Sequence, residues 1–202
     1  MQDTGRRPVG RPRGFDADEA LERAMLLFWE QGYEGTSLTD LTAAMGITRT
    51  SMYAAFGNKE ELFRKALRRY TEGPAAYAAR ALAEPTARGV ATTFLRGAVE
   101  ASSRPAYPAG CLAVQGSLAA GDGGRIARDA LLAWRDEGWL RLRDRFGQAV
   151  DEGDLPGDTD PALLARYVMT VANGVAVQAV GGAGRAELQQ VADAALRNWP
   201  PV

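Results

Sequence analysis

The sequence predicts an all-α protein: an N-terminal three-helix helix-turn-helix module followed by a larger C-terminal helical domain, about nine helices in all. Three observations carry that prediction. From Phe15 onward apolar residues recur at three- and four-residue spacing, no segment alternates as a half-buried strand would, and glycines and prolines interrupt the pattern where helix ends would fall. At 202 residues, 46% hydrophobic and 24% charged, the chain has globular composition and room for one ordinary domain, or a small module joined to a larger one.

Composition removes several kinds of function. Lys and Arg number 24 against 25 Asp and Glu, so binding to nucleic acid must come from a local patch and not from net charge. There is no histidine and a single cysteine, Cys111, which takes away most metal sites, Ser-His-Asp and Cys-His chemistry and any intrachain disulfide. No metal and no cofactor are expected. No run reaches the roughly 18 uninterrupted apolar residues of a spanning helix. The best stretch, Tyr167 to Val180, is broken by Thr170, Asn173, Gly174 and Gln178, and the N-terminal arginines have no apolar core behind them. The chain is therefore expected to be a soluble cytoplasmic protein with no membrane partner. A reducing compartment also tolerates a free thiol. Between Gly110 and Leu112, Cys111 reads as a small buried hydrophobe more than as a redox sensor.

Each element follows from local signals. Residues 1–14 lack periodicity, carry Arg6, Arg7, Arg11 and Arg13 against Asp3, and should form a flexible basic arm. Asp16 with Glu19 is a capping-box pattern, and Leu21, Ala24, Met25 and Phe28 continue at helical spacing toward Gly32. Ser37 with Asp40 opens a second helix carrying Leu38, Leu41 and Met45, which Gly46 stops. Thr48 caps a third carrying Met52, Tyr53 and Phe56, and Gly57 ends it. Asn58 with Glu61 caps a fourth carrying Leu62, Phe63, Ala66, Leu67 and Tyr70. The expected organisation is a basic arm over 1–14, a helix-turn-helix domain over 15–58, a linking helix over 59–72, and a domain for effector binding and dimerisation over 73–202. Within the last part a long helix should span about 125–152, with Glu137 and Arg141 pairing on its wet side. Two more should cover about 161–180, apolar nearly all round, and about 185–199, amphipathic.

A groove-reading helix needs a polar face and an apolar back, and residues 48–56 supply both. Met52 and Phe56 point inward, while Arg49, Thr50, Tyr53 and Ala54 can face a major groove. Thr36 and Ser37, at a helix start whose partial positive charge favours phosphate, can clamp the backbone. Lys59 stands in the first turn of its helix, where a cation opposes the dipole, and a nearby phosphate would account for that placement.

Thr36-Ser37-Leu38 through Gly46-Ile47-Thr48, then Met52-Tyr53-Ala54-Ala55-Phe56-Gly57-Asn58-Lys59-Glu60-Glu61-Leu62-Phe63, closely resembles the N-terminal module of the TetR family of bacterial transcriptional regulators. The resemblance covers about residues 15–70 and rests on the agreement in spacing of the turn, the Tyr…Phe-x-x-Lys pattern and the preceding helix. Beyond residue 70 it is looser, with Pro108-Ala109-Gly110-Cys111-Leu112 similar to one subgroup's ligand domain. It implies phosphate contacts from Thr36, Ser37, Tyr53 and Lys59, and base-edge contacts from Arg49, Thr50 and Ala54, with Thr48 at the helix start between them. The chain departs from the family pattern at Ala54-Ala55, where aromatic or histidine side chains are common, and at Thr42, where alanine is usual. Gly10-Arg11-Pro12 with Arg13 resembles the core of an AT-hook, which would place Arg11 and Arg13 in a minor groove.

For the C-terminal part, Phe94, Tyr107, Cys111, Gln115, Trp134, Trp139 and Met169 are the candidates for lining an effector cavity, with Gln115, Ser117 and Thr170 as polar groups. Val168, Val171, Val175, Leu188, Val191 and Ala195, on the last two helices, are the candidates for a four-helix dimer interface. The function predicted is a dimeric, sequence-specific DNA-binding regulator, a repressor of a double-stranded operator released by a mostly apolar small molecule of unknown identity. A helical adaptor without specific DNA binding is the alternative. A helical enzyme is a weaker one, because Gly121-Asp122-Gly123-Gly124 lacks the lysine of a phosphate-binding loop and Ser117 has no base partner.

Overall fold

The computed structural model describes residues 14–119 and 124–200, and among these every regular element is a helix. In chain order they are α1 Ala17–Gly35, α2 Leu38–Met45, α3 Arg49–Phe56, α4 Lys59–Glu72, α5 Tyr77–Leu82, α6 Ala87–Ser103, α7 Leu112–Ala119, α8 Arg125–Asp151, α9 Pro161–Val180 and α10 Arg185–Arg197. That is ten, one more than expected. Residues 1–13, which include Arg11 and Arg13, lie outside the described residues.

The helix starts use the capping chemistry written in the sequence. Ser37 and Asp40 bond reciprocally, the Ser37 amide donating to Asp40 Oδ2 at 2.9 Å and the Asp40 amide to Ser37 Oγ at 3.1 Å. The bonds from the Ser37 amide and hydroxyl also hold the Asp40 carboxyl below the usual carboxylate range. Asn58 and Glu61 form the same reciprocal pair at the start of α4. At α1 only half of the expected box exists: Asp16 Oδ1 accepts from the amides of Asp18 and Glu19, but the Glu19 carboxylate pairs with Arg23 one turn on. Gly32, at φ 71° and ψ 171°, breaks α1, which then completes one further turn to Gly35.

Two buried clusters organise the chain. Met25, Phe28, Leu41, Met52, Phe56, Leu62 and Phe63 lock the first three helices onto α4, and the same cluster runs on through Leu112, Ala113, Ala127 and Leu131 of α7 and α8. The helix-turn-helix part is thus continuous with the C-terminal part through its own core. The second cluster packs α5, α6, α8, α9 and α10 around Leu95, Leu142, Phe146, Val168 and Leu188. Helix α9 is long and apolar enough to cross a membrane, yet Leu164, Val168, Ala172, Val175 and Ala179 put one whole side of it into this core.

Gly110 sets how closely α7 approaches α9. Its φ is +86°, and a Cβ there would stand 2.5 Å from Val180 Cγ2 and 3.0 Å from the Ala176 carbonyl oxygen. Gly110→Ala is therefore expected to cost about 1–3 kcal/mol, from a strained backbone plus a clash that backbone atoms cannot yield to. Urea unfolding should show a lower midpoint at unchanged slope. An unchanged midpoint would mean that the loop before α7 is free to move away from α9.

Candidate functional site

The candidate nucleic-acid face is built on α3. Met52 is fully buried and Phe56 is 4% exposed, so the back of the helix is fixed to the core. The opposite side presents Thr48, Arg49, Thr50, Tyr53 and Ala54, all exposed, with Tyr53 at 45%. From Arg49 on, these positions follow the spacing i, i+1, i+4, i+5, which is one face of an α-helix. The Thr48 hydroxyl accepts from the Ser51 amide at 3.2 Å and lies 3.0 Å from Ser51 Oγ, so it caps α3 while staying at the surface. Lys65 Nζ donates to the Ala55 carbonyl at 3.2 Å and sits 5.6 Å from the Phe56 ring centroid, tying α4 to the end of α3. Sequence reasoning did not single out Lys65, because a lysine in mid-helix carries no local signal of what it reaches. The small side chains of Ala54 and Ala55 border a shallow hollow shared with Gly14, Phe15, Ile47 and Ser51.

One of the phosphate candidates needs correction. Thr36 is 0% exposed, and its hydroxyl donates to the Gly32 carbonyl at 2.7 Å, because the break at Gly32 leaves that carbonyl without a helical partner; its side chain serves α1 and does not face outward. Ser37 is exposed, and its amide and side chain bond Asp40 reciprocally, so it caps α2 while staying at the surface. The Lys59 cation lies 4.3 Å from the Tyr33 ring centroid. Burial lowers its pKa, and the charge of Glu34 opposes that shift. The first-turn lysine thus has an aromatic face and an acid from the last turn of α1 beside it, and it stays partly exposed.

Helix α4 is clamped on two sides. An ion pair joins Arg69 to Glu22 of α1, and Trp134 Nε1 of α8 donates to Thr71 Oγ1 at 2.8 Å. Between these, Trp29 of α1 meets Tyr70 of α4 edge-on at 4.9 Å between centroids, stacks on Tyr107 at 5.8 Å and donates to Gln115 Oε1 of α7 at 3.2 Å. The Tyr70 hydroxyl donates to Cys111 Sγ at 3.2 Å, and burial raises the Tyr70 pKa well above that of an ordinary tyrosine.

Beside this joint lies a cavity of about 290 Å³, walled by α4, α5, α6, α8 and α9 and mostly apolar. Phe94, Cys111, Trp134 and Met169 line it, as expected. Three other candidates do not. Gln115 and Tyr107 are spent on Trp29, and Trp139 donates to the Ala162 carbonyl at 3.3 Å, with Arg143 and Arg166 over its ring at 5.4 and 4.6 Å. The two remaining polar candidates are also engaged elsewhere: Ser117 Oγ bonds the Val114 carbonyl and Arg135, and Thr170 Oγ1 the Arg166 carbonyl. The polar groups of the lining include Tyr77, Ser102 and Asn173, which the sequence reading missed because no periodicity marks them.

The dimer candidates also divide. Val168, Val175, Leu188 and Ala195 are buried in the chain's own core, since α6 and α8 cover that side of α9 and α10. Val171 is half-buried and Val191 is 51% exposed. The outward apolar surface of these helices consists instead of Leu163, Val177, Val180 and Val191, with Gly174 opening onto free space.

Comparison with known proteins agrees with this architecture. The sequence profile of bacterial regulatory proteins of the tetR family matches residues 20–66, and that of the tetracyclin repressor-like C-terminal domain matches residues 92–195. The HTH-type transcriptional repressor ComR of Escherichia coli K12 is 34% identical over 194 residues, covering 95% of this chain and 92% of its own. The HTH-type regulator YezE of Bacillus subtilis is 35% identical over 168 residues, covering 79% and 84%. Among solved structures, a cysteine mutant of the TetR family regulator CifR, complexed with 26-base-pair operator DNA, superposes with a TM-score of 0.88 at 43% identity, covering 95% of this chain and 100% of that one. This chain belongs to the TetR family of bacterial regulatory proteins, and is a DNA-binding transcriptional regulator and not an enzyme.

Proposed function

We propose that the chain is a homodimeric repressor that places two copies of α3 in successive major grooves of a double-stranded operator, and that a small molecule in the α4–α9 cavity releases it. The observation that carries this reading is the α3 face: Arg49, Thr50, Tyr53 and Ala54 are turned outward together while Met52 and Phe56 hold the helix rigidly from behind. The likeness to CifR, a relative bound to a duplex of 26 base pairs, supports the same partner. Arg49 and Thr50 read base edges, Ser37 and Tyr53 hold phosphates, and Arg11 and Arg13 of the arm reach the minor groove. The second copy packs through Leu163, Val177, Val180 and Val191, apolar side chains on the two final helices that stay exposed among the described residues.

Release follows from the clamps on α4. Trp134 is both a wall of the cavity and the donor to Thr71, so an occupant that displaces its indole frees the cavity side of α4. The helix then tilts, and the separation of the two recognition helices leaves the roughly 34–36 Å that matches one turn of DNA. Mobility-shift titration with the DNA flanking the chain's own gene, at two salt concentrations, tests the proposal alongside sedimentation equilibrium. The expected result is a dimer that prefers its flanking DNA to an arbitrary duplex by about 10³-fold or more, with affinity falling steeply as salt rises. Removing residues 1–14 should weaken binding and flatten that salt dependence. A monomer, or equal affinity for both duplexes, overturns the reading.

A further inference from the structure

The cavity contains polar groups that no other described residue bonds. Ser102 of α6 is 3% exposed and lines the cavity, and its hydroxyl has no hydrogen-bond partner among the described residues. The phenol of Tyr77 on α5 and the carboxamide of Asn173 on α9, both half-buried in the same lining, likewise have no hydrogen-bond partner among the described residues. A polar side chain withdrawn from water without a partner costs free energy, and Ser102 is so placed, with the half-buried Tyr77 and Asn173 in the same lining, so these groups mark where a ligand's polar atom belongs.

The phenol is held in place by close packing. A Cβ on Gly97 would stand 2.5 Å from Tyr77 Cβ and 2.6 Å from its Cγ, so the side chain lies directly on α6, and the ring meets Phe94 edge-on at 5.4 Å. Burial keeps Tyr77 protonated far above neutral pH, so it offers a proton and no charge. Charged residues of the lining, Arg68, Glu72, Glu137 and Arg141, are all exposed at the mouth and balance two against two, with Glu137 and Arg141 paired to each other. The interior thus has hydrogen-bond donors and aromatic walls from Phe94 and Trp134, and no countercharge for an ion.

We infer that the cavity takes an uncharged ring compound bearing an acceptor oxygen, such as an aromatic ketone, with that oxygen bonded by Tyr77 and by Ser102 or Asn173. This rests on the proposed effector role of the cavity and gives it a ligand class. An anion held at these groups would lose its hydration without a cation beside them, since Arg68 and Arg141 stand exposed at the mouth, so it should bind more weakly.

Fluorescence titration of the intact protein with the neutral naphthalene ketone prodan, and with the anionic naphthalene sulfonate ANS, reads this directly, since prodan emission reports hydrogen bonding to its carbonyl. Prodan should bind saturably and ANS at least about tenfold more weakly. Tyr77→Phe keeps the ring on Gly97 and Phe94. It should weaken prodan about five- to tenfold and move its bound emission to the blue, as one hydrogen bond is lost. Ser102→Ala should act in the same direction. Gly138→Leu locates the site: at present a Cβ there meets nothing nearer than Met169 Cε at 4.0 Å, so the new side chain grows into the cavity and should remove binding while circular dichroism stays native. Equal affinity for ANS and prodan overturns the inference, as does wild-type affinity and emission in Tyr77→Phe and Ser102→Ala together. Operator affinity measured without probe tests the DNA reading separately. Saturable prodan binding that Gly138→Leu removes but neither Tyr77→Phe nor Ser102→Ala alters overturns the ligand class and leaves the effector cavity standing.

Discussion

Trp29→Ala should lower the unfolding free energy by about 3–5 kcal/mol, the range for removing a large buried aromatic side chain. Trp29 is 2% exposed and touches three parts of the chain at once: Tyr70 on α4, Tyr107 in the loop before α7, and Gln115 on α7. The truncation therefore opens a cavity where the recognition module meets the C-terminal part. The Gln115 carbonyl also loses its donor, which adds about 1–3 kcal/mol if water cannot reach it. Trp29→Phe separates these contributions, because it keeps most of the apolar volume and loses only the indole N–H. It should cost less than half as much. Urea unfolding at one fixed protein concentration is the measurement, since a dimer's apparent stability depends on concentration. A Trp29→Ala midpoint within about 0.5 kcal/mol of wild type, the spread of an ordinary surface substitution, would show that the joint between α1, α4 and α7 is not where the chain's stability resides.

The features legible in the sequence were those written in local chemistry. The caps at Ser37 and Asn58, the stop at Gly46 and the outward quartet on α3 all depend on residues within a turn or two of one another, and all form. Asp16 shows where local reading fails by a small margin, since Glu19 had two partners within reach and chose Arg23 over the backbone of α1. Helix α9 shows a larger failure. A helix apolar around its circumference has no periodic sign of which side is core, so Val168 and Val175 could not be told from Leu163 and Val177 until α6 and α8 were in place. Thr36 failed for another reason. Its hydroxyl had a satisfying partner inside the chain, the Gly32 carbonyl, beside the break that ends the regular part of α1. The cavity's polar groups were out of reach because Tyr77, Ser102 and Asn173 come from three helices, and only tertiary packing brings them together.

Arg49→Ala should weaken operator binding by about 10- to 100-fold, the 1–3 kcal/mol of a bidentate contact to a guanine edge, and should relax the preference at one position of each half-site. Affinity for an arbitrary duplex should fall far less. The alternative that the variant simply unfolds is removed by where Arg49 stands. It is exposed at the first position of α3, where a cation opposes the helix dipole, so its loss should leave thermal stability unchanged or slightly raised. Tyr53→Phe and Ser37→Ala provide the contrast. As phosphate contacts through a hydroxyl, they should weaken operator and arbitrary duplex by similar factors and leave the sequence preference intact. The readout is the ratio of the two affinities at fixed salt, because either affinity alone mixes charge with recognition. Should Arg49→Ala lower both affinities equally, Arg49 would be a backbone anchor, and base readout would have to pass to Thr50 and to the apolar edge that Ala54 offers a thymine methyl group.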